Sequence, residues 1–141
     1  MKKIISVLLI CLLACGLFAG CGNRNKIPED AYVWNYAGRY IGYTSDGYFW
    51  HYQGECIGAL KGNEVYNTSG SYIGEIRKTK EYLEIANSEA FEYDGYRICV
   101  DNVKRTKTIP SFNKPYKRYA QYNSYARYAY TPPSGCSDFT Y

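Results

Sequence analysis

A glycine recurs at positions 38, 54, 70 and 95, each time inside the same short phrase. Trp34-Asn-Tyr-Ala-Gly38-Arg-Tyr-Ile41-Gly42 is followed by Trp50-His-Tyr-Gln-Gly54-Glu-Cys-Ile57-Gly58 and by Tyr66-Asn-Thr-Ser-Gly70-Ser-Tyr-Ile73-Gly74. A looser fourth copy reads Phe91-Glu-Tyr-Asp-Gly95-Tyr-Arg-Ile98-Cys99. The spacing is even from 38 through 54 to 70 and longer by nine from 70 to 95, so an insertion precedes the last copy. A repeat of this length is one supersecondary unit that needs its neighbours to bury an apolar face. Ala37-Gly38, Gln53-Gly54, Ser69-Gly70 and Asp94-Gly95 sit where a two-residue hairpin turn belongs, with Gly supplying the positive φ. That register sets Trp34 opposite Ile41, Trp50 opposite Ile57, Tyr66 opposite Ile73 and Phe91 opposite Ile98. Each is an aromatic facing a β-branched residue, a pair worth roughly 0.2–1 kcal/mol. On the other face Val33, Phe49 and Val65 oppose Gly42, Gly58 and Gly74, and Ala90 opposes Cys99. A large residue meets Gly three times, and its partner shrinks where Gly becomes Cys, as crowded strands require.

Ser45-Asp46-Gly47 and Lys61-Gly62-Asn63 supply turn chemistry between the hairpins. Short strands closely spaced between such turns predict an all-β domain. Lys78 to Ala86 is the one stretch that reads as helix, and its Tyr82-Leu83-Glu84-Ile85 reads equally as strand. The phrase of aromatic, short polar turn, Gly and then Ile-Gly resembles the bacterial β-flower families, four-fold and five-fold. The resemblance covers residues 32–76 closely and 90–100 loosely. It implies repeated β-hairpins, one to each period of about 16 residues, arranged radially around a pseudo-axis. It implies no activity and no functional residues. The expected fold is therefore all-β and β-flower-like, with an extended Tyr-rich C-terminal tail.

The N-terminus carries a different message. Lys2 and Lys3 precede an apolar run from Ile4 to Phe18, the length of a signal-peptide core and short for a membrane span. Phe18-Ala19-Gly20-Cys21 then resembles the lipobox of bacterial lipoproteins. Small residues there admit the peptidase, and the Cys21 thiol would take the diacylglycerol thioether. Leu12-Leu13-Ala14-Cys15 is a rival that leaves a very short apolar run. Several acyl chains such as palmitate on one residue anchor stably where a single chain does not. The expected organisation is a signal peptide over 1–20, the lipidated Cys21 and a tether over 21–30, the hairpin repeats over 31–103, and a tail over 104–141. The expected location is extracytoplasmic, lipid-anchored to the bacterial cell membrane, and the outer membrane if the host has one.

Charge separates repeats from tail. Residues 23–101 carry 8 Lys and Arg against 12 acids, a net of −4. Residues 102–141 carry 7 against one, a net of +6. In the tail Tyr116, Tyr119, Tyr122, Tyr125 and Tyr128 recur every third residue, followed by Tyr130. A period of three fits an extended, polyproline-like or disordered segment better than strand or α-helix. Two readings stay open: a basic linker lying on its own acidic body, or an adhesive arm for anionic polymers or lipid headgroups. Interleaved aromatics and cations also suit nucleic acid, but export makes that partner unexpected.

Catalytic signals are thin. The 141-residue chain has one His, so a histidine relay has little to work with, and no phosphate loop, nucleophile elbow or dinucleotide fingerprint occurs. The assumed register places His51 opposite Cys56, a pair able to tune a thiol or form half a metal site. Outside the cytoplasm Cys56, Cys99 and Cys136 allow one disulfide and one free thiol, in any pairing. Tyr36, Tyr52 and Tyr93 fall on one hairpin face and Tyr40 and Tyr72 on the other. They are either core or a repeated platform for sugars or cationic headgroups. The expected function is a non-catalytic binding or structural module, without cofactor, contacting a wall polymer, glycan or envelope protein. The alternative is a thiol- or metal-dependent enzyme using His51 and Cys56.

Overall fold

A computed structural model describes residues 26–83, 91–123 and 127–141. The signal segment, Cys21 and the start of the tether lie outside the described residues, as do Ala90 and Tyr125. The strands are β1 (Tyr32–Asn35), β2 (Tyr40–Ser45), β3 (Tyr48–His51), β4 (Cys56–Lys61), β5 (Glu64–Tyr66), β6 (Tyr72–Leu83), β7 (Phe91–Asp101) and β8 (Cys136–Asp138). Each strand pairs antiparallel with the next. β1 also pairs in parallel with β7, through Trp34 with Arg97 and Asn35 with Ile98, which closes β1–β7 into a seven-strand barrel. β8 lies outside the closure, along β7. The fold is all-β, and among the described residues no helix is long and apolar enough to cross a membrane.

Three of the four expected hairpins form, with a different turn. Gly38 donates to the Asn35 carbonyl (3.1 Å) while Asn35 donates to Arg39 O (2.9 Å). His51 with Gly54 and Glu55, and Asn67 with Gly70 and Ser71, repeat both bonds. The loop thus holds three residues, ending in a glycine at φ 86°, 94° and 85°. This is a type I turn closed by a left-handed glycine, not the two-residue turn expected from sequence. The register shifts accordingly. Val33, Phe49 and Val65 do oppose Gly42, Gly58 and Gly74, but the next pairs are Trp34–Tyr40, Trp50–Cys56 and Tyr66–Tyr72. Ile41, Ile57 and Ile73 are the extra residues of three equivalent bulges. The bulge corrects the expected aromatic–isoleucine pairs and explains the isoleucine differently. Ile41 and Ile57 turn into the core beside Val33, Phe49 and Val65, together with Ile76 and Ile98.

The glycines after these isoleucines mark close strand approach. A Cβ on Gly42 would run into the Trp50 carbonyl, and one on Gly58 into that of Tyr66. On the opposite rim, Asp46 (φ 53°) and Gly47 (φ 77°) make the two-residue turn that joins β2 to β3.

The fourth copy is not a hairpin. Gly95 lies in mid-strand, paired with Thr79 across the long β6–β7 ribbon. Phe91 opposes Leu83, and Ile98 opposes Ile76. Of the Lys78–Ala86 stretch, Lys78–Leu83 is strand, not helix, and residues 84–86 lie outside the described residues. Gly95 is small for another reason: a Cβ there would collide with the Glu81 carboxylate. That carboxylate is buried with Arg97. The guanidinium donates from Nε to Glu81 Oε1 (2.7 Å), and from Nη1 to the Asn35 carbonyl (2.8 Å). Thr79 and Tyr93 hydroxyls donate to the same carboxylate, each at 2.8 Å.

Candidate functional site

The basic segment after β7 is the barrel's belt. A short 3-10 turn, Lys104–Thr106, starts it, and residues 107–123 and 127–133 then run almost without strand pairing across the hairpin tips in reverse order. Ile109 donates to the Gly70 carbonyl (2.7 Å) and Phe112 to Thr68 O (3.0 Å). Arg118 donates to Gly54 O (2.8 Å) and Gln121 to Tyr52 O (2.7 Å). Tyr130 donates to Tyr36 O (2.7 Å). A Cβ on Gly70, Gly54 or Gly38 would meet the carbonyl of Ile109, Arg118 or Arg127 respectively. As the hairpin glycine moves back from 70 to 54 and then to 38, the belt partner moves forward from 109 to 118 and then to 127, in steps of nine. The belt sequence has that period: Tyr116-Lys-Arg118-Tyr-Ala120 recurs as Tyr125-Ala-Arg127-Tyr-Ala129. This echo is the sequence signal that the tyrosine count alone hides.

Charge complementarity holds the belt down. Lys104 reaches Glu75 (2.7 Å), Lys107 reaches Glu64 (3.0 Å), and Arg118 reaches Asp46 (3.4 Å). Arginines also cover the hairpin aromatics. The Arg118 guanidinium lies 5.2 Å from the Trp50 ring, and that of Arg127 lies 4.4 Å from Trp34 and 4.5 Å from Tyr93. Where the hairpin carries Tyr66 in place of Trp, the belt carries Ile109 in place of Arg. At the fourth corner Arg97 lies 4.9 Å from the Tyr130 ring, so the belt there rests on the buried ion pair.

The five tyrosines read from sequence as either core or platform divide between two environments. Tyr36 and Tyr72 are buried. Burial, and then the nearby Cys99 thiol, push the Tyr36 hydroxyl up to about 12. Burial raises Tyr72 as well, and its hydroxyl accepts a bond from the Asp101 amide (3.1 Å). Tyr40 and Tyr52 join an aromatic band, to which Tyr93 is linked through Arg127. Tyr40 lies 5.3 Å from Trp34 and 5.9 Å from Tyr52, and Tyr52 lies 5.6 Å from Tyr122 of the belt. Beside this band an open hollow of about 710 Å³ is lined by Tyr43, Lys117, Arg118, Tyr119 and Gln121. Belt and barrel together make the candidate site: a fixed, cationic, tyrosine-bearing surface.

His51 and Cys56 are not opposite each other. His51 pairs with Glu55 and packs its ring 4.9 Å from Tyr141, while Cys56 faces Trp50. Burial lowers the His51 pKa and raises that of Cys56, whose thiol donates to Gly58 O at 3.7 Å. Neither shift activates a nucleophile. Among the described residues no group of three or more His, Cys, Asp or Glu side chains is placed to hold a metal. Cys99 and Cys136 lie on neighbouring strands, β7 and β8, with Cys99 opposite Asp138 and Cys136 opposite Asp101. Burial, then a hydrogen bond with the Cys136 thiol, push Cys99 up to about 12. Neighbouring Asp138 accepts from the Tyr36 and Ala37 amides (2.7 and 3.0 Å), and Phe139 enters the core beside Phe49. The chain matches no protein-family model, no curated protein and no solved structure.

Proposed function

We propose that this chain is a bacterial envelope lipoprotein, held to the membrane by acyl chains on Cys21 and serving as a non-catalytic binding or structural module. Its hairpins are read as a β-flower-like radial set around the barrel axis. The partner is a wall polymer, glycan or envelope protein. One observation carries the reading: the basic, tyrosine-rich belt is bonded to the hairpin tips. Its cations and rings are therefore presented on a rigid support, as a binding surface requires. The basic n-region, apolar run and small residues before Cys21 support the anchor.

Labelled palmitate supplied to cells expressing the chain tests the anchor. The wild type is expected to be labelled and membrane-bound, and Cys21→Ser to be unlabelled. Label persisting in the variant, or a wild-type chain recovered from the cytoplasm, counts against the reading. Sedimentation with isolated envelope glycans at rising salt tests the module; absence of saturable co-sedimentation argues against a wall partner.

A further inference from the structure

We propose that Tyr116, Tyr119 and Tyr122 form a stacking ladder for an extended, acidic β-1,4-linked polysaccharide. This rests on the binding-module reading and names its ligand class. The belt amides that donate to hairpin carbonyls are those of 109 and 112, 118 and 121, and the latter half of a third pair, 130, while the Tyr119 carbonyl accepts from the Tyr43 hydroxyl (3.4 Å). Within each pair the spacing is three. In a strand, residues three apart face opposite ways. In a threefold extended helix they face the same way. One row of the belt therefore looks at the barrel. Tyr116, Tyr119 and Tyr122 belong to the next row, one residue out of phase, and are 97%, 94% and 73% exposed. Tyr130 is an internal control. It shares the inward phase, is less exposed (41%), and stacks on Arg97.

The geometry of this row selects a polymer. At about 3.1 Å per residue, rings three residues apart stand about 9 Å apart. An extended β-1,4 glycan turns over at every sugar, so the same sugar face returns once per disaccharide, at a comparable rise. Tyrosine suits that partner: the ring packs on the apolar face of the pyranose, and the phenol meets its hydroxyls. The remaining row carries Lys114 and Lys117, and Lys117 and Arg118 line the hollow beside Tyr119. With a net of +6 over residues 102–141 against −4 over 23–101, an acidic chain is drawn to the belt and repelled by the barrel.

The full chain in detergent is run by affinity electrophoresis and titration against four probes. These are carboxymethylcellulose (acidic, β-1,4), cellohexaose (neutral, β-1,4), dextran sulfate (acidic, α-1,6) and oligo-dT. Carboxymethylcellulose is expected to bind most tightly. Tyr116→Ala with Tyr119→Ala is expected to weaken it at least about tenfold, as two lost stacking contacts would. The melting point stays unchanged, because both rings are exposed. Phe at both positions is expected to restore binding, and Lys114→Ala with Lys117→Ala to flatten its salt dependence. Undiminished binding by the double-alanine variant overturns the ladder, and so does no binding to carboxymethylcellulose. Tighter binding of dextran sulfate or oligo-dT overturns it in favour of a plain polyanion or nucleic-acid surface. Sedimentation with isolated envelope glycans reads the binding-module proposal separately: glycan binding that survives Tyr116→Ala with Tyr119→Ala overturns the ladder alone, so the two failures remain distinct.

Discussion

The first three glycine phrases and the fourth look alike in sequence and do different things. At Gly38, Gly54 and Gly70 the chain turns, and the belt lies against the bare Cα. At Gly95 the chain runs straight, and the space a Cβ would take is filled by the Glu81 carboxylate. The belt crosses this corner on side chains, with Arg127 between Trp34 and Tyr93 and Tyr130 on Arg97. A glycine thus marks close approach in both places, of a backbone in one and of a buried charge in the other. Backbone contact recurs with the repeat, whereas the ion pair occurs where the repeat is broken by the longer ribbon.

The largest expected effect lies at the fourth corner. Glu81→Ala leaves Arg97 buried without its partner and is expected to lower stability by about 3–5 kcal/mol in denaturant titration. Glu92→Ala on the same ribbon is expected to leave the midpoint in place, since its partner Lys80 is exposed. Burial alone would raise the Glu81 pKa, but bonds from Arg97, Thr79 and Tyr93 hold it below the ordinary 4.5. A carboxylate depressed in the folded state stabilises above its unfolded pKa and loses that contribution as pH falls through the folded value. Stability is therefore expected to fall below about pH 4.5, and the fall to be shallower in Glu81→Gln. An equal acid slope in both chains would remove Glu81 from this account.

Next comes the covalent option at the same corner. Cys99 stands where the other copies have Gly42, Gly58 and Gly74, beside the Cys136 thiol. A thiol-oxidising disulfide donor, taking two electrons and two protons from the pair, is expected to join Cys99 to Cys136 and leave Cys56 reduced. The bond is expected to add about 2–4 kcal/mol by closing a long loop. Peptide mass mapping reads the pairing, and a Cys56 crosslink would contradict it.

The hairpin tips give a smaller effect with an internal control. Gly54→Ala must distort a turn at positive φ and push the Arg118 carbonyl away, whereas Gly47→Ala meets nothing within 4 Å. Gly47→Ala is expected to cost about 1–2 kcal/mol, the strain alone. Gly54→Ala is expected to exceed that and to speed tryptic cleavage after Lys117 or Arg118. Equal costs and equal cleavage would separate the belt from the tips. Smallest is the ring contact: Arg118→Ala and Arg127→Ala are each expected to cost about 0.5–2 kcal/mol, by thermal melting.

The all-β class and three of the hairpins were legible; their closure into a barrel was not. The alternation around Val33, Phe49 and Val65, and their facing glycines, set the strand positions because period-two patterning admits one inward set. The turn differs from its local reading by one residue. Ala-Gly fits a two-residue turn locally, and the bonds from Gly38 to Asn35 and from Arg39 to the Asn35 side chain (2.8 Å) choose three. That single residue moved Ile41 from the aromatic face into the core and separated His51 from Cys56. Gly95 was not legible because a glycine's reason depends on what comes near it, and Glu81 reaches it from the neighbouring strand.

By itself the sequence determined an all-β chain built on one repeated unit, an acidic body and a basic tail, because side-chain periodicity and charge are local properties. The tertiary structure decided that β1 closes on β7 and that the fourth phrase is strand. It also decided that the tail crosses the hairpin tips in steps of nine with Tyr116, Tyr119 and Tyr122 outward. Those outcomes depend on which carbonyl, carboxylate or ring arrives at a given glycine, and only the packed chain brings them together.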